Sequence, residues 1–222
     1  MAKRSFGVND IGKWKFDEPT LPKAWADHLG ELPVPFHIYV DGDGGEGKTE
    51  FMMLFSKMCA EHIGKSFVNN VEQGKHKSIQ QSWERNNFKQ DVKGGKWMYN
   101  MIHDFDEYVE YLRKPGSCKV AFIDSISFWP LDAKDIQFLF EEFPRKSFVL
   151  IAYEAHAAKN KAIKHLCDVK INVKDFVAYT NGTSRFGGNK PFVISQEMLM
   201  KKIRERKAQK NGVTGNGTGR LF

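Results

Sequence analysis

No apolar run in this chain approaches the roughly 20 residues a membrane-spanning helix needs. The N-terminal residues Met1 to Phe6 lack the apolar segment of a secretory leader. Cysteine is scarce and odd in number. Cys59, Cys118 and Cys167 are scattered, and no Cys-x-x-Cys pair occurs, which removes a zinc ribbon and a disulfide framework. Each cysteine is expected to be a reduced residue in or near the core. Internal repeats are also missing. The expectation is a cytoplasmic globular protein. A length of 222 residues, 41% of them hydrophobic and 27% charged, suits one domain with a sizeable core. The formal charge of +7 favours a polyanionic partner.

The stretch that organises the chain is Gly42-Asp43-Gly44-Gly45-Glu46-Gly47-Lys48-Thr49, of the form G-x-x-x-x-G-K-[ST]. Phe36 to Val40 precedes it and reads as a buried strand. Phe51, Met52, Leu54, Phe55 and Met58 follow at helical spacing. Strand, glycine loop and helix together make a phosphate-binding loop. Its glycines let main-chain N–H groups turn inward around a polyphosphate. The helix N-terminus adds partial positive charge. Lys48 is expected to reach the β- and γ-phosphates and Thr49 to ligate Mg²⁺. Nucleotide contacts are expected from Gly42 through Glu50.

In order, residues 1–32 read as a lead-in, with Trp14 and Phe16 packing on the outside of the core and a short helix from Ala24 to Leu29 ending at Gly30. A core spans residues 33–194. Its expected elements are a helix from Lys48 to Ile63, a strand over Ser66–Val71 with Glu72 at its C-terminal end, and a helix over Ser78–Asn86. A loop over 87–96, a strand near Trp97–Met101 and a helix over Phe105–Arg113 follow. Val120-Ala121-Phe122-Ile123-Asp124 is an apolar run ending in an acid, which delivers a carboxylate to the edge of a sheet where it can serve Mg²⁺. Asp132 is expected to cap a helix to Phe143. Phe148–Tyr153 reads as another buried strand, ending at Glu154, Ala155 and His156. Val169–Val173 and Phe176–Tyr179 alternate apolar and polar residues, as antiparallel strands with one wet face do. Phe192–Ile194 follows a Gly187-Gly188 turn. Residues 195–222 read as a tail that starts as a basic helix, with Lys201, Lys202, Arg204, Arg206, Lys207 and Lys210, and becomes flexible from Asn211.

Four segments in this order resemble the RecA-like P-loop ATPases, and in particular their RadA (Sms) and DnaB-type branch. Gly42–Thr49 is similar to the Walker A loop. Asn70-Val71-Glu72-Gln73 resembles the strand end that carries the family's catalytic glutamate. Phe122-Ile123-Asp124-Ser125-Ile126 resembles the Walker B segment. Ser184-Arg185-Phe186-Gly187 resembles the Lys-Asn-Arg-Phe-Gly motif of RadA, with Thr183 in place of the leading lysine. The resemblance covers residues 36–194 and implies an ATPase core without RadA's zinc finger and protease-like domain. It implies an α/β fold: a mainly parallel sheet flanked by helices, with antiparallel strands at the C-terminal end. It further implies ATP and Mg²⁺ as ligands, with nucleotide between the subunits of a homo-oligomer.

Each candidate then has a role. Glu72 is the general base for the attacking water. Asp124 and Thr49 serve the metal. His156 senses the γ-phosphate, with Glu154 competing for that role. Arg185 reaches a neighbour's ATP. Lys159, Lys161 and Lys164 follow the sensor, where RecA-like motors place a DNA-contacting loop; a solvated helix face is the alternative. Phe128 and Trp129 could stack on bases, with helix packing the favoured use. The first functional class is an oligomeric ATPase of recombination, repair or replication acting on single-stranded DNA. A small-molecule kinase and a regulatory ATPase with a protein partner, reached through the tail, are the others.

Overall fold

The structure, a computed structural model, describes residues 6–129, 131–153 and 160–213, with side chains described to residue 208. After a short helix α1 (Val8–Ile11) and α2 (Lys23–Leu29), the chain enters β1 (His37–Asp41), and α3 (Lys48–His62) leads out of the glycine loop. Then come β2 (Ser66–Asn70), α4 (Lys77–Arg85), α5 (Phe88–Asp91), β3 (Trp97–Asn100), α6 (Phe105–Arg113) and β4 (Val120–Asp124). The chain continues with α7 (Ala133–Glu142), β5 (Ser147–Ile151), α8 (Lys161–Leu166), β6 (Val169–Lys174), β7 (Val177–Tyr179), β8 (Phe192–Val193) and α9 (Gln196–Val213).

The strands form one sheet in the order β3-β2-β4-β5-β1-β6-β7-β8. From β3 to β6 all neighbours are parallel, and β7 and β8 continue the sheet antiparallel. The apolar runs of β1, β4 and β5 follow from this placement, because central parallel strands are covered on both faces. Alternate residues supply two cores. Ile38, Val40, Phe122, Val149 and Ile171 pack with α2 and α3 on one face. Tyr39, Ala121, Ile123, Phe148 and Leu150 pack with α6, α7 and α8 on the other. Asp132 caps α7, accepting from the Lys134 and Asp135 amides at 2.6 and 3.1 Å. All three cysteines are free and buried. Among the described residues no helix is long and apolar enough to cross a membrane.

Three expectations need correction. The 87–96 stretch is not all loop, because Phe88 is buried against Trp97 (centroids 4.9 Å) and anchors the single turn α5. Val169–Val173 does alternate, but β6 runs parallel to β1 and antiparallel only to β7. A half-covered parallel strand at the sheet's flank gives the same period-2 signal as an antiparallel one. The tail's helix carries through Asn211 to Val213 rather than ending at Asn211. In the lead-in, Trp14 and Phe16 stay exposed, whereas Trp25 stacks between Phe55 and Phe192 at 5.0 and 4.1 Å.

Phe55 sits at the centre of this cluster, fully buried and within 6.1 Å of the rings of Trp25, Phe36, Phe51 and Phe122. Phe55→Ala is expected to cost about 3–5 kcal/mol in urea unfolding. A loss below about 1 kcal/mol would show that α3 is not clamped by this aromatic layer.

Candidate nucleotide site

The glycine loop leaves the C-terminal end of β1, which lies between β5 and β6. Ligands of open α/β sheets collect at such strand ends. Two glycines are required there by contact. A Cβ on Gly42 would lie 2.3 Å from the Val173 carbonyl oxygen. Gly47 has φ +106°, and its Cβ would meet the Phe176 ring at 2.8 Å. Phe176 itself has φ +60°. An aromatic residue there costs on the order of 1–3 kcal/mol, and the conformation places its ring over the loop.

Lys48 opens α3 and turns back on the loop. Its Nζ donates to the carbonyls of Gly42 (2.7 Å) and Asp43 (2.8 Å) and lies 4.3 Å from the centroid of the Tyr153 ring. Burial pulls the Lys48 pKa below its ordinary value, opposed by the charges of Glu72, Asp124, Asp43 and Asp41. A cleft of about 350 Å³ joins Lys48, Thr49, Glu72, Gln73, Asp124 and Tyr153. Asp124 ends β4, is 3% exposed, and accepts from Asn70 Nδ2 at 3.0 Å. Burial pushes its carboxyl up to about 7. Glu72 adds to the rise and Lys48 opposes it. The turn carrying Glu72 is tied to β4, since the Val71 and Glu72 amides both donate to the Asp124 carbonyl at 2.7 and 3.3 Å.

The donor set fits Mg²⁺. Thr49 Oγ1 and the Asp124 carboxylate are hard oxygens, and Mg²⁺ takes one or two protein ligands with phosphate and water completing its shell. The Ser125 hydroxyl beside Asp124 is buried with no partner among the described residues, as a site built around bound water would leave it. Among the described residues no group of three or more His, Cys, Asp or Glu could hold a metal.

No family model matches the sequence, and no curated protein matches it. Solved structures do. The flagellar accessory protein FlaH from Methanocaldococcus jannaschii aligns with TM-score 0.55 and 13% identity, over 71% of this chain and 80% of FlaH. A KaiC-like protein from Pyrococcus horikoshii aligns with TM-score 0.51 and 16% identity, over 71% and 80% respectively. The fold is that of the RecA-like ATPases. At these identities the likeness speaks for the fold alone. It supports the RecA-like resemblance and does not select the RadA and DnaB-type branch.

Within this RecA-like frame, Lys48, Thr49, Glu72 and Asp124 converge. Glu50 lines the same cleft with its carboxylate engaged by α4, and Glu46 points elsewhere. Glu50 pairs with Arg85 at 2.5 Å and accepts from Asn86 at 2.8 Å. Glu46 turns to the Asp175 amide and to Lys202. Burial works to raise the Glu46 pKa; the Asp175 N–H, Lys202 and Arg206 more than offset it. His156, Glu154 and Lys159 lie outside the described residues. Lys164 is not on an open loop. It sits in α8 and pairs at 2.7 Å with Asp41, whose side chain is only 3% exposed. Trp129 is buried and donates to the His103 carbonyl at 2.8 Å, whereas Phe128 is exposed. Arg185 is absent from the cleft of its own chain. It lies 3.8 Å from Asp168, which accepts from the His37 amide at the N-terminal end of β1.

Sequence reasoning missed Tyr153, Phe176 and the cleft-facing side of α4. Ser78, Gln81, Ser82 and Arg85 all line the cleft. Their i, i+3, i+4, i+7 spacing is a polar stripe readable from the sequence. Phe176 was not legible, because its function depends on a left-handed backbone that apolar patterning does not encode.

The Asp124 geometry makes a pH-dependent prediction. Its folded pKa of about 7 lies above the ordinary 3.8. The cost of ionising it in the fold is therefore absent below about pH 4, grows as pH rises, and levels off above 7. Asp124→Asn should raise the stability of the nucleotide-free protein by about 2–4 kcal/mol at pH 8. That gain should shrink toward zero at pH 4. A gain that is flat with pH would contradict the assignment.

Proposed function

We propose that this chain is a Mg²⁺-dependent ATPase of the RecA-like class that works as a homo-oligomer on single-stranded DNA. The observation that carries the reading is a divided site. The loop, metal-side acid and general base gather at the C-terminal ends of the strands, while Arg185 sits at the N-terminal ends of β1 and β6, a strand length (about 13 Å) away. Its loop is held firmly. Ser184 Oγ donates to the Leu29 carbonyl at 2.8 Å, and the Phe186 carbonyl accepts from the Glu31 amide at 2.9 Å. The Arg185 side chain is left 65% exposed. A fixed loop presenting an outward guanidinium suits a neighbour's phosphates.

In this reading Lys48 exchanges its two carbonyl partners for the β- and γ-phosphates, while Tyr153 keeps one side of it dry. Glu72 orients and deprotonates the attacking water. Thr49 and Asp124 would hold Mg²⁺, which would supply charge neutralisation at the phosphates. A neighbour's Arg185 meets the charge that develops as the γ-phosphoryl departs. DNA binding rests on the +7 charge and on exposed cations such as Lys161, Lys201, Arg204 and Lys207. The Arg-Phe-Gly and Asn-Val-Glu-Gln segments favour the RadA-type branch. Recombination, repair or replication is the corresponding role.

Mixing two dead variants tests the reading. Glu72→Gln and Arg185→Ala should each lose about 10²-fold or more in ATP turnover. Mixed oligomers should recover part of it, because some interfaces join an intact base to an intact arginine. Turnover of the wild type should rise with single-stranded DNA, and the rise should fade with salt. No recovery despite subunit exchange, or full turnover by Arg185→Ala alone, would refute the divided site. Turnover indifferent to DNA but dependent on a small phosphoryl acceptor would instead support a kinase.

A further inference from the structure

The basic helix α9 is fastened to the phosphate loop. Ile194, just before it, donates its amide to the Phe176 carbonyl at 2.8 Å, so α9 starts beside the β6–β7 turn. Lys202 Nζ then lies 3.2 Å from Glu46 Oε1, and Arg206 Nη1 lies 2.6 Å from Asp175 Oδ2. Their i, i+4 spacing puts both cations on one face. The two acids they reach are themselves joined, because the Asp175 amide donates to the Glu46 carboxylate and the Phe176 amide donates to the Glu46 carbonyl at 2.9 Å. Glu46 and Asp175 side chains are 16% and 14% exposed, so solvent screens these contacts less than it screens surface pairs.

Glu46 is the residue before Gly47, inside the loop that must receive a polyphosphate. A bare carboxylate there would repel the ligand. Lys202 and Arg206 cancel that charge. They also hold the Asp175–Phe176 turn in the position that sets the Phe176 ring over Gly47. We propose that Lys202 and Arg206 are positioning residues for the nucleotide: through Glu46 and Asp175, α9 neutralises the phosphate loop and keeps it in its binding shape. This rests on the reading of the cleft as an ATP site. It gives the basic helix a task at that site besides any contact with DNA, and it couples the two, because a polyanion on α9 and the loop acids draw on the same helix.

The test is a cycle of variants read by calorimetric titration with MgATP and by hydrogen exchange of the loop amides without nucleotide. Lys202→Ala/Arg206→Ala should weaken MgATP binding about 5- to 20-fold and lower the protection of the Gly45–Gly47 amides, with far-UV circular dichroism unchanged. Lys202→Arg should hold near the wild-type affinity. In a Glu46→Gln/Asp175→Asn background, removing the two cations should cost less than twofold in affinity, because both carboxylates they cancel are then gone. Unchanged affinity and unchanged protection in the double variant would overturn the proposal. So would an equal loss in both backgrounds, which would mean that the cations act on the phosphates directly. If the wild type takes up no MgATP, the ATP reading fails and the positioning role falls with it; the exchange data then show only whether α9 is fastened to the loop.

Discussion

Lys48 folding back on the carbonyls of Gly42 and Asp43 is the contact on which the rest of the site depends. It closes the main chain into a ring at the end of β1, with a cation at the centre. The ring can form only because β1 is the central strand, flanked by β5 and β6, and because the residues around the loop leave room for main chain alone. Val173 crowds Gly42 and Phe176 crowds Gly47. The sheet, α3 and the β6–β7 turn are thus all specified at one place.

Charge balance explains the remaining geometry. Four acids act on Lys48, and two of them, Glu72 and Asp124, line the cleft with it. Asp124 is so deeply buried that its carboxyl rises to about 7. Without ligand, one cation faces acids that are costly to ionise together. A metal ion and a polyphosphate would relieve both sides of that imbalance. The Glu46 carboxylate is handled differently, being turned to the β6–β7 turn and matched by Lys202 at 3.2 Å.

Much of this was legible in the residues. Parallel strands buried on both faces write themselves as apolar runs, and an acid at the end of such a run, as at Asp124, must emerge at the sheet edge. The glycine loop was readable from its spacing between an apolar run and a helical one, and contact requires two of its glycines, Gly42 and Gly47. Other parts were illegible for physical reasons. Period-2 alternation reports a half-covered strand and not its direction, so the pattern of β6 does not distinguish its parallel pairing with β1 from its antiparallel pairing with β7. A single helical turn such as α5 is held by one buried phenylalanine rather than by periodicity. Lys164 looked like one cation in a basic stretch, because its buried partner Asp41 is distant in sequence. The links from α9 to Glu46 and Asp175 are likewise long-range, and a basic run alone reads as a solvated tail.

The central claim is that the ring around Lys48 is a nucleotide site. Titrating MgATP into the wild type and into Lys48→Ala tests it most directly, with thermal unfolding as a check that the variant is folded. The account predicts saturable binding to the wild type and a loss of at least about 100-fold (near 2.7 kcal/mol) in the variant, whose fold remains intact. Equal affinity in the two proteins, or no binding to either at millimolar MgATP, would contradict it.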